Sequence, residues 1–329
     1  MFSISIIVPC HNSRQTIAPC LKAIQASMYK DFEIIIVDDH SSDDTAAIAR
    51  KFTDNVITLD TNKGSGNARK TGIQNSKADI ICFIDSDIII KPDTLSTIMN
   101  FFKRNPKVDA VTGLLSKEHP NRNFFSQYKN LYMNYTFRLL PERVTFLFGS
   151  IYAMRRKVGH SDQGNLRHTP DTEYGQKLFC QDKTIAFLKN LEVVHLKKYT
   201  FCSLIKNDFL VPFSWGRIFI RFQGLRQLGY NKTGFAHASK IQLTSVILTF
   251  LLTCSTAAGL FIPVVNAIPI ILLIIWFSLN TRFFLFLLIE RGIIFFLTGI
   301  LTTLIDQIIM AFGIITGFLV QLTNNDRSF

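Results

Sequence analysis

With 329 residues, 48% of them hydrophobic and a mean hydropathy of +0.23, the chain can hold one or two cored domains and is too apolar for a wholly water-soluble protein. The net charge of +12 falls before Ile241: the first 240 residues carry 33 basic against 21 acidic residues, since only Arg282, Arg291, Arg327, Glu290, Asp306 and Asp326 lie beyond. The six cysteines include no Cys-x-x-Cys pair, which excludes a zinc or disulfide framework and reads as buried thiols of a reducing compartment.

Met1 leads directly into a strand pattern, so no cleavable signal peptide is expected. Ser3 to Pro9 reads as a short strand, followed by a polar turn over Cys10 to Arg14 and a helix over Thr16 to Ser27. Asp31 to Val37 is a second strand, running into Asp38-Asp39-His40-Ser41. The helix Asp43 to Phe52 comes next, with Ser42 or Asp43 as its cap. Asn55 to Leu59 is a third strand, and the loop Lys63 to Arg69 turns into a helix ending near Ser76. Ile80 to Ile88 is the fourth strand, a β-branched run that takes in Asp85-Ser86-Asp87. Four such alternations predict a mostly parallel, doubly wound α/β sheet, whose ligands bind beyond the carboxyl ends of the strands.

Three polar groups meet that expectation. Asp38 and Asp39 end strand two, where a carboxylate can accept hydrogen bonds from a base or ribose. Asp85 and Asp87 end strand four; two acids there are costly to desolvate unless a hard cation bridges them to a phosphate. Gly64, Gly66 and Arg69 open the third helix, where backbone amides and a guanidinium suit a phosphate. The loop is neither a dinucleotide fingerprint nor a P-loop, since Arg69 replaces the last glycine and no Gly-Lys-Ser/Thr closes it. Each group alone also reads as turn chemistry, with glycines as turn formers and acids as caps. Their convergence favours one site.

Asp38-Asp39-His40-Ser41-Ser42-Asp43-Asp44-Thr45, then Asn62-Lys63-Gly64 with Ala68-Arg69 and Gly72, then Asp85-Ser86-Asp87, resembles the nucleotide-sugar half of family 2 glycosyltransferases, over residues 3 to about 220. The resemblance implies a GT-A fold, a Rossmann-like mixed α/β sheet, with a nucleotide-diphosphate-sugar donor and a Mg²⁺ or Mn²⁺ ion. By position it implies that Pro9, Asp38 and Asp39 line the nucleoside pocket and that Lys63, Gly64, Arg69, Asp85 and Ser86 border the donor. Asp85 and Asp87 would hold the metal, Asp87 foremost. No nucleic acid is expected as a partner.

A helix from Pro92 to Phe102 and a strand from Val108 to Leu114 follow. Phe124, Phe125, Tyr128, Leu131, Tyr132 and Tyr135 then recur at helical spacing. Such a stripe is more often core, though a nearby membrane also allows an interfacial helix. Phe146 to Ser150 reads as a strand entering a glycine turn. The stretch Pro170 to Leu178 resembles the family's catalytic helix start, with Pro170 where an acid is common and Asp171 in place. Inversion needs a base for the acceptor hydroxyl. Asp171 is that candidate and Glu173 the second, against the plain alternative that both acids favour a helix N-terminus. His195 ends the strand Leu191 to Val194, where the resemblance offers it to the metal and the plain reading is structural.

From Leu196 to Lys240 eight basic residues face one acid, Asp208. Arg217 and Arg221 share a helix face beside Trp215, Phe219 and Phe222, which predicts an amphipathic neck at an anionic interface, gripping an acceptor phosphate. A solvated basic face is the alternative. The Gln-x-x-Arg-Trp signature of processive synthases is absent, which argues against chain extrusion. Ile241 to Thr281 holds no charge and Ile293 to Leu322 only Asp306, so membrane spans are expected. The expected division is a GT-A domain over 1–235, with its neck at about 196–240, and a membrane region over 241–329. Within that region, spans are expected at about 241–262 and 264–280, an interfacial helix at 282–291 and a third span at 293–322. The positive-inside rule puts Lys240, Arg282, Arg291 and the catalytic domain on the cytoplasmic side of a multi-pass inner-membrane protein. Asp306 is functional or faces a helix partner. The function expected is non-processive, inverting transfer of one sugar to a lipid-linked, membrane-embedded acceptor. A polyprenyl-phosphate sugar synthase is the enzymatic alternative, and a non-catalytic nucleotide-sugar or lipid binder the alternative from another class.

Overall fold

A computed structural model describes residues 3–159, 169–222, 234–235, 238–262 and 267–323. The chain divides into two units, residues 1–122 with 140–198, and 123–139 with 199–329.

The first unit is built on one mixed sheet. Strands β1 (Ile4–Cys10), β2 (Phe32–Asp38), β3 (Val56–Thr58) and β4 (Ile80–Ile84) alternate with helices α1 (Ile17–Gln25), α2 (Thr45–Ala49) and α3 (Ser65–Asn75). They are followed by β5 (Ile88–Ile89), α4 (Thr94–Arg104) and β6 (Ala110–Leu115). All seven residues of β1 are buried, as a central parallel strand covered on both faces requires. The first four strands pair in parallel, in the order β3-β2-β1-β4. Beyond the helix α5 (Phe124–Arg138) of the second unit, β7 (Arg143–Val144), β8 (Ile151–Arg155), α6 (Pro170–Cys180) and β9 (Ile185–His195) complete the unit. The full order is β3-β2-β1-β4-β8-β6-β9-β5, with β8 antiparallel to both its neighbours.

Three local expectations are displaced. The fourth strand stops at Ile84, because Asp85 to Asp87 form a turn; Ile88 and Ile89 belong to a separate strand, antiparallel to the end of β9. Phe146 to Ser150 is not a strand; Phe146 and Leu147 are buried in irregular chain and the strand begins at Ile151. The short α2 is capped at Asp44, although Asp43 Oδ1 still accepts the Thr45 N–H at 3.0 Å.

The second unit holds α5, α7 (Phe201–Arg221), an antiparallel pair of two-residue strands, β10 (Gly234–Phe235) and β11 (Ala238–Ser239), and three long helices, α8 (Lys240–Gly259), α9 (Ala267–Arg291) and α10 (Ile293–Thr323). These three are long and apolar enough to cross a membrane. The boundary expected near residue 235 therefore falls earlier, and the neck helix groups with the apolar helices. The aromatic stripe of α5 is core: Tyr128, Leu131 and Tyr132 join Trp276, Phe283 and Phe284 in one buried cluster. Residues 282–291 are no separate helix but the last turns of α9, since nothing between Thr281 and Arg282 interrupts the helical backbone. A break between the first two spans is expected at Pro263, Asn266 and Pro269; the first two lie outside the described residues, and Pro269 falls in the first turn of α9.

Polar side chains tie the apolar helices. Ser245 Oγ and Trp276 Nε1 donate to Gln307 Oε1 at 2.6 and 2.7 Å, and Asn280 Nδ2 donates to Ser245 Oγ at 2.7 Å. Asp306 is fully buried, within electrostatic reach of the Lys129–Asp208 ion pair. It faces helix partners rather than lipid.

The neck helix departs from expectation. A Cβ on Gly313 would come 2.5 Å from Phe209 O, and one on Gly317 closer still to Phe213 O. Arg217 Nε donates to Gln321 Oε1 at 3.2 Å. Contacts that advance four residues at a time on both helices make α7 and α10 parallel neighbours. Trp215 is buried, and Phe219 meets Phe318 at 5.5 Å between ring centres. These aromatic side chains are spent on helix packing, and a helix following α10 for three turns does not lie flat at an interface. Cys180, Cys202 and Cys254 are exposed; only Cys10, Cys20 and Cys82 are buried, because the first three sit at a helix end or on outward helix faces.

Candidate active site

Within the first unit the ends of β1, β2 and β4 and the start of α3 enclose a cleft of about 290 Å³. Pro9, Asp39, Ala68, Arg69, Asp85, Ser86 and Asp87, all drawn from the sequence motifs, line it, joined by Cys10, His11, Ser13 and Ser65, to which the sequence assigns no role. His11 had no motif to mark it. Its Nδ1 lies 2.8 Å from Asp39 O, and its Nε2 lies 3.1 Å from the side-chain amides of Asn12 and Asn62. Both amides donate, so Nε2 accepts and Nδ1 carries the proton. Burial pushes the Cys10 thiol up, which leaves it a poor nucleophile despite its place in the cleft.

Asp39 is committed to the loop before α3: Oδ1 accepts from Lys63 N at 2.9 Å and Oδ2 from Gly64 N at 2.7 Å. That loop turns at Gly64, where φ is +89°, a conformation that penalises any side chain by about 1–3 kcal/mol. Asp38 is 1% exposed and holds Ser41, so it shapes the turn after β2 and does not line the cleft. The Lys63 side chain is exposed and also lies off the cleft wall.

The opposite wall carries the charges. Arg69, 3% exposed, donates from Nη2 to Asp85 Oδ1 at 2.7 Å. The β5–β9 pairing sets Ile88 against His195, which brings His195 Nε2 to 3.2 Å from Asp87 Oδ2. Burial raises the Asp85 carboxyl to about 6, with Asp87 and Asp171 adding to the push and Arg69 opposing it. Burial alone would raise Asp87 too, but His195 and Lys197 hold it below the usual carboxylate range. Asp171, in the first turn of α6, accepts the Gly149 N–H at 2.6 Å. Burial raises its carboxyl as well, against the pull of Arg69. Glu173 is 0% exposed with Lys177 Nζ at 4.0 Å, so it is an interior carboxylate and poorly placed as a base.

Among the described residues no three His, Cys, Asp or Glu side chains form a ready cation cage. The donors present still fit a cation shared with a ligand. Mg²⁺ and Mn²⁺ favour carboxylate oxygens, and such a cation takes one or two carboxylates and completes its shell from phosphate oxygens and water. Asp87, with His195 beside it, offers such a carboxylate, and the crowding that raises Asp85 is what an added positive charge would relieve.

Residues 5–160 match the family model described as glycosyl transferase family 2. This stretch is a family 2 glycosyltransferase domain. Over 114 residues the chain is 35% identical to the poly-beta-1,6-N-acetyl-D-glucosamine synthases of Staphylococcus epidermidis and of Staphylococcus aureus strain COL. Those matches take in 33% of this chain and 28% of each relative, so the chain spans less than a third of the length of the curated relatives it matches. The solved mannosyltransferase PcManGT from Pyrobaculum calidifontis, in complex with GDP-Man and Mn²⁺, is similar with a TM-score of 0.56 at 15% identity, over 98% of this chain and 88% of that one. That likeness is one of fold, and it agrees with a GT-A-like mixed α/β domain followed by apolar helices.

Proposed function

We propose that the family 2 domain transfers a single sugar, with inversion, from a nucleotide-diphosphate sugar to a lipid-linked acceptor in the membrane that the same chain enters. The observation that carries this reading is the cleft lined by Asp39, Arg69, Asp85 and Asp87, with Asp85 ion-paired to the buried Arg69 and Asp171 within electrostatic reach of that arginine. His11 and Asp39 mark the nucleoside end of that cleft, and Asp87 with His195 is the pair that would hold Mg²⁺ or Mn²⁺ against the diphosphate. When bound, the cation would offset the charge that develops on the diphosphate leaving group. Asp171 takes the proton of the acceptor hydroxyl. The curated relatives are named as synthases of poly-beta-1,6-N-acetyl-D-glucosamine, which supports a role in glycan synthesis. The missing Gln-x-x-Arg-Trp supports transfer of one sugar rather than many.

The test is a panel of nucleoside diphosphates and nucleotide-sugars, scored by thermal shift with Mn²⁺ and by label transfer to membrane lipids. Ligand binding stabilises with the logarithm of its concentration over Kd, so the right nucleotide stands out. Asp87→Ala should abolish transfer and weaken nucleotide binding in Mn²⁺. Full activity in excess chelator would reject the cation. Label found only on a polyprenyl monophosphate would make the protein a polyprenyl-phosphate sugar synthase. Metal-dependent nucleotide binding without turnover on any pair would make it a non-catalytic binder.

A further inference from the structure

Asp171 meets the rest of its cleft through one glycine. Gly149 donates its N–H to Asp171 Oδ2 at 2.6 Å. A Cβ on Gly149 would stand 3.0 Å from that same oxygen and 3.1 Å from Arg69 Nη2. The carboxylate and the guanidinium therefore flank a single point, the place where any other residue would carry its side chain. The backbone at Gly149 is not left-handed, unlike that at Gly64 and Gly292. Chain conformation does not demand glycine there; a Cβ would be tight against both side chains, and the carboxylate and guanidinium would each have to give by a few tenths of an ångström.

Arg69 is the other half of the arrangement. Its Nη2 also donates to Asp85 Oδ1 at 2.7 Å, while its Nε finds no partner. The guanidinium is thus not locked in a two-pronged fork with Asp85. It stands with its Cζ 5.8 Å from the centre of the Tyr152 ring, which stacks on Phe83 at 4.5 Å. The buried cation is ion-paired to Asp85 at the donor side and lies within electrostatic reach of Asp171 on α6.

We propose that Gly149 and Arg69 are positioning residues for Asp171. The Gly149 N–H fixes the direction of the carboxylate, and the missing Cβ leaves room for Arg69 beside it. The inference rests on Asp171 being the base. In that step the acceptor hydroxyl oxygen bonds to the anomeric carbon, its proton passes to the Asp171 carboxylate, and the sugar–diphosphate bond breaks with its electron pair leaving on the diphosphate.

The test uses the full chain and the nucleotide-sugar that gives turnover in the panel. UDP and GDP binding with Mn²⁺ are followed separately. Gly149→Ala should lower kcat at least about tenfold, since small misplacements of a reacting group are costly, while nucleoside diphosphate affinity stays within about twofold. On an Asp171→Asn background the same change should add no further loss. Arg69→Gln removes a positive charge beside Asp171 and so raises its pKa, which moves the acid limb of the kcat–pH profile to higher pH. Arg69→Lys should bring the limb back. Wild-type kcat in Gly149→Ala, a loss that appears as weaker nucleotide binding, or an unmoved limb in Arg69→Gln would overturn the proposal. Normal turnover in Asp171→Asn would instead remove the base assignment, leaving the donor cleft as described.

Discussion

Asp38 and Asp39 are adjacent in sequence and opposite in use. Asp39 faces the cleft with its carboxylate already bonded to the Lys63 and Gly64 amides, whereas Asp38 is sealed behind Ser41. The same division separates Asp171, partly open at the first turn of α6, from Glu173, fully buried one half-turn later. A carboxylate at a strand end or helix start looks alike in sequence whether it caps, packs or reacts, because the deciding variable is which way one side chain points. For Asp171 the direction of its pKa has a measurable consequence. Burial raises that pKa above the ordinary aspartate value. A base works only when ionised, so kcat should fall as the pH drops through this raised pKa, on the alkaline side of where a solvent-exposed aspartate would lose its charge. A kcat–pH profile measured in saturating donor checks this. A profile flat down to pH 4 would place the base elsewhere.

The elements were legible where period and punctuation agree, and less so where pairing is remote. The β–α alternations of the first 84 residues lie within a few residues of their expected bounds, since each strand is a buried β-branched run closed by a polar turn. The separate β5 was not legible. Two isoleucines after a turn have no signal of their own, and their partner strand lies more than 100 residues away. Yet that pairing is what sets His195 beside Asp87. The neck helix was misjudged for a related reason. Arg217 with Trp215 and Phe219 has the composition of an interfacial face, but the glycines that draw α10 onto it lie about 100 residues further on. Gly317→Leu should therefore separate α7 from α10, at a cost of about 1–3 kcal/mol or more for overpacking, read as a lower thermal midpoint in detergent. The Arg217–Gln321 bond gives a sharper test. If Arg217 anchors helices, Arg217→Ala and Gln321→Ala should have the same modest effect on stability, about 0.5–1.5 kcal/mol, and leave the acceptor KM unchanged. A rise of tenfold or more in acceptor KM, in Arg217→Ala alone, would restore the phosphate-holding role expected of the neck.

At the scale of the whole molecule the argument concerns the second unit and the side of the membrane to which each of its turns belongs. Three of its helices could span a bilayer, and contacts within the unit fix their relative directions. Ser245 meets Gln307 and Phe250 meets Phe312, so α8 runs parallel to α10. Leu287 lies against Gly299 and Trp276 against Gln307, so α9 runs opposite to both. An up-down-up path follows, turning sharply at Gly292, where φ is +82°. Lys240, Arg282 and Arg291 all lie toward one end of that path, the end at which α8 begins and α9 stops. A polybasic surface next to the bilayer is held by anionic headgroups at about 1 kcal/mol per charge, and loops rich in Lys and Arg stay cytoplasmic. We therefore expect the end of α8 to face outward and the turn between α9 and α10 to face the cytoplasm. The measurement is cysteine labelling in intact cells, in a cysteine-free background shown to fold. Phe261→Cys should react with a membrane-impermeant reagent from outside, and Glu290→Cys should react only after the cells are opened. Labelling of Glu290→Cys in intact cells would reverse the orientation.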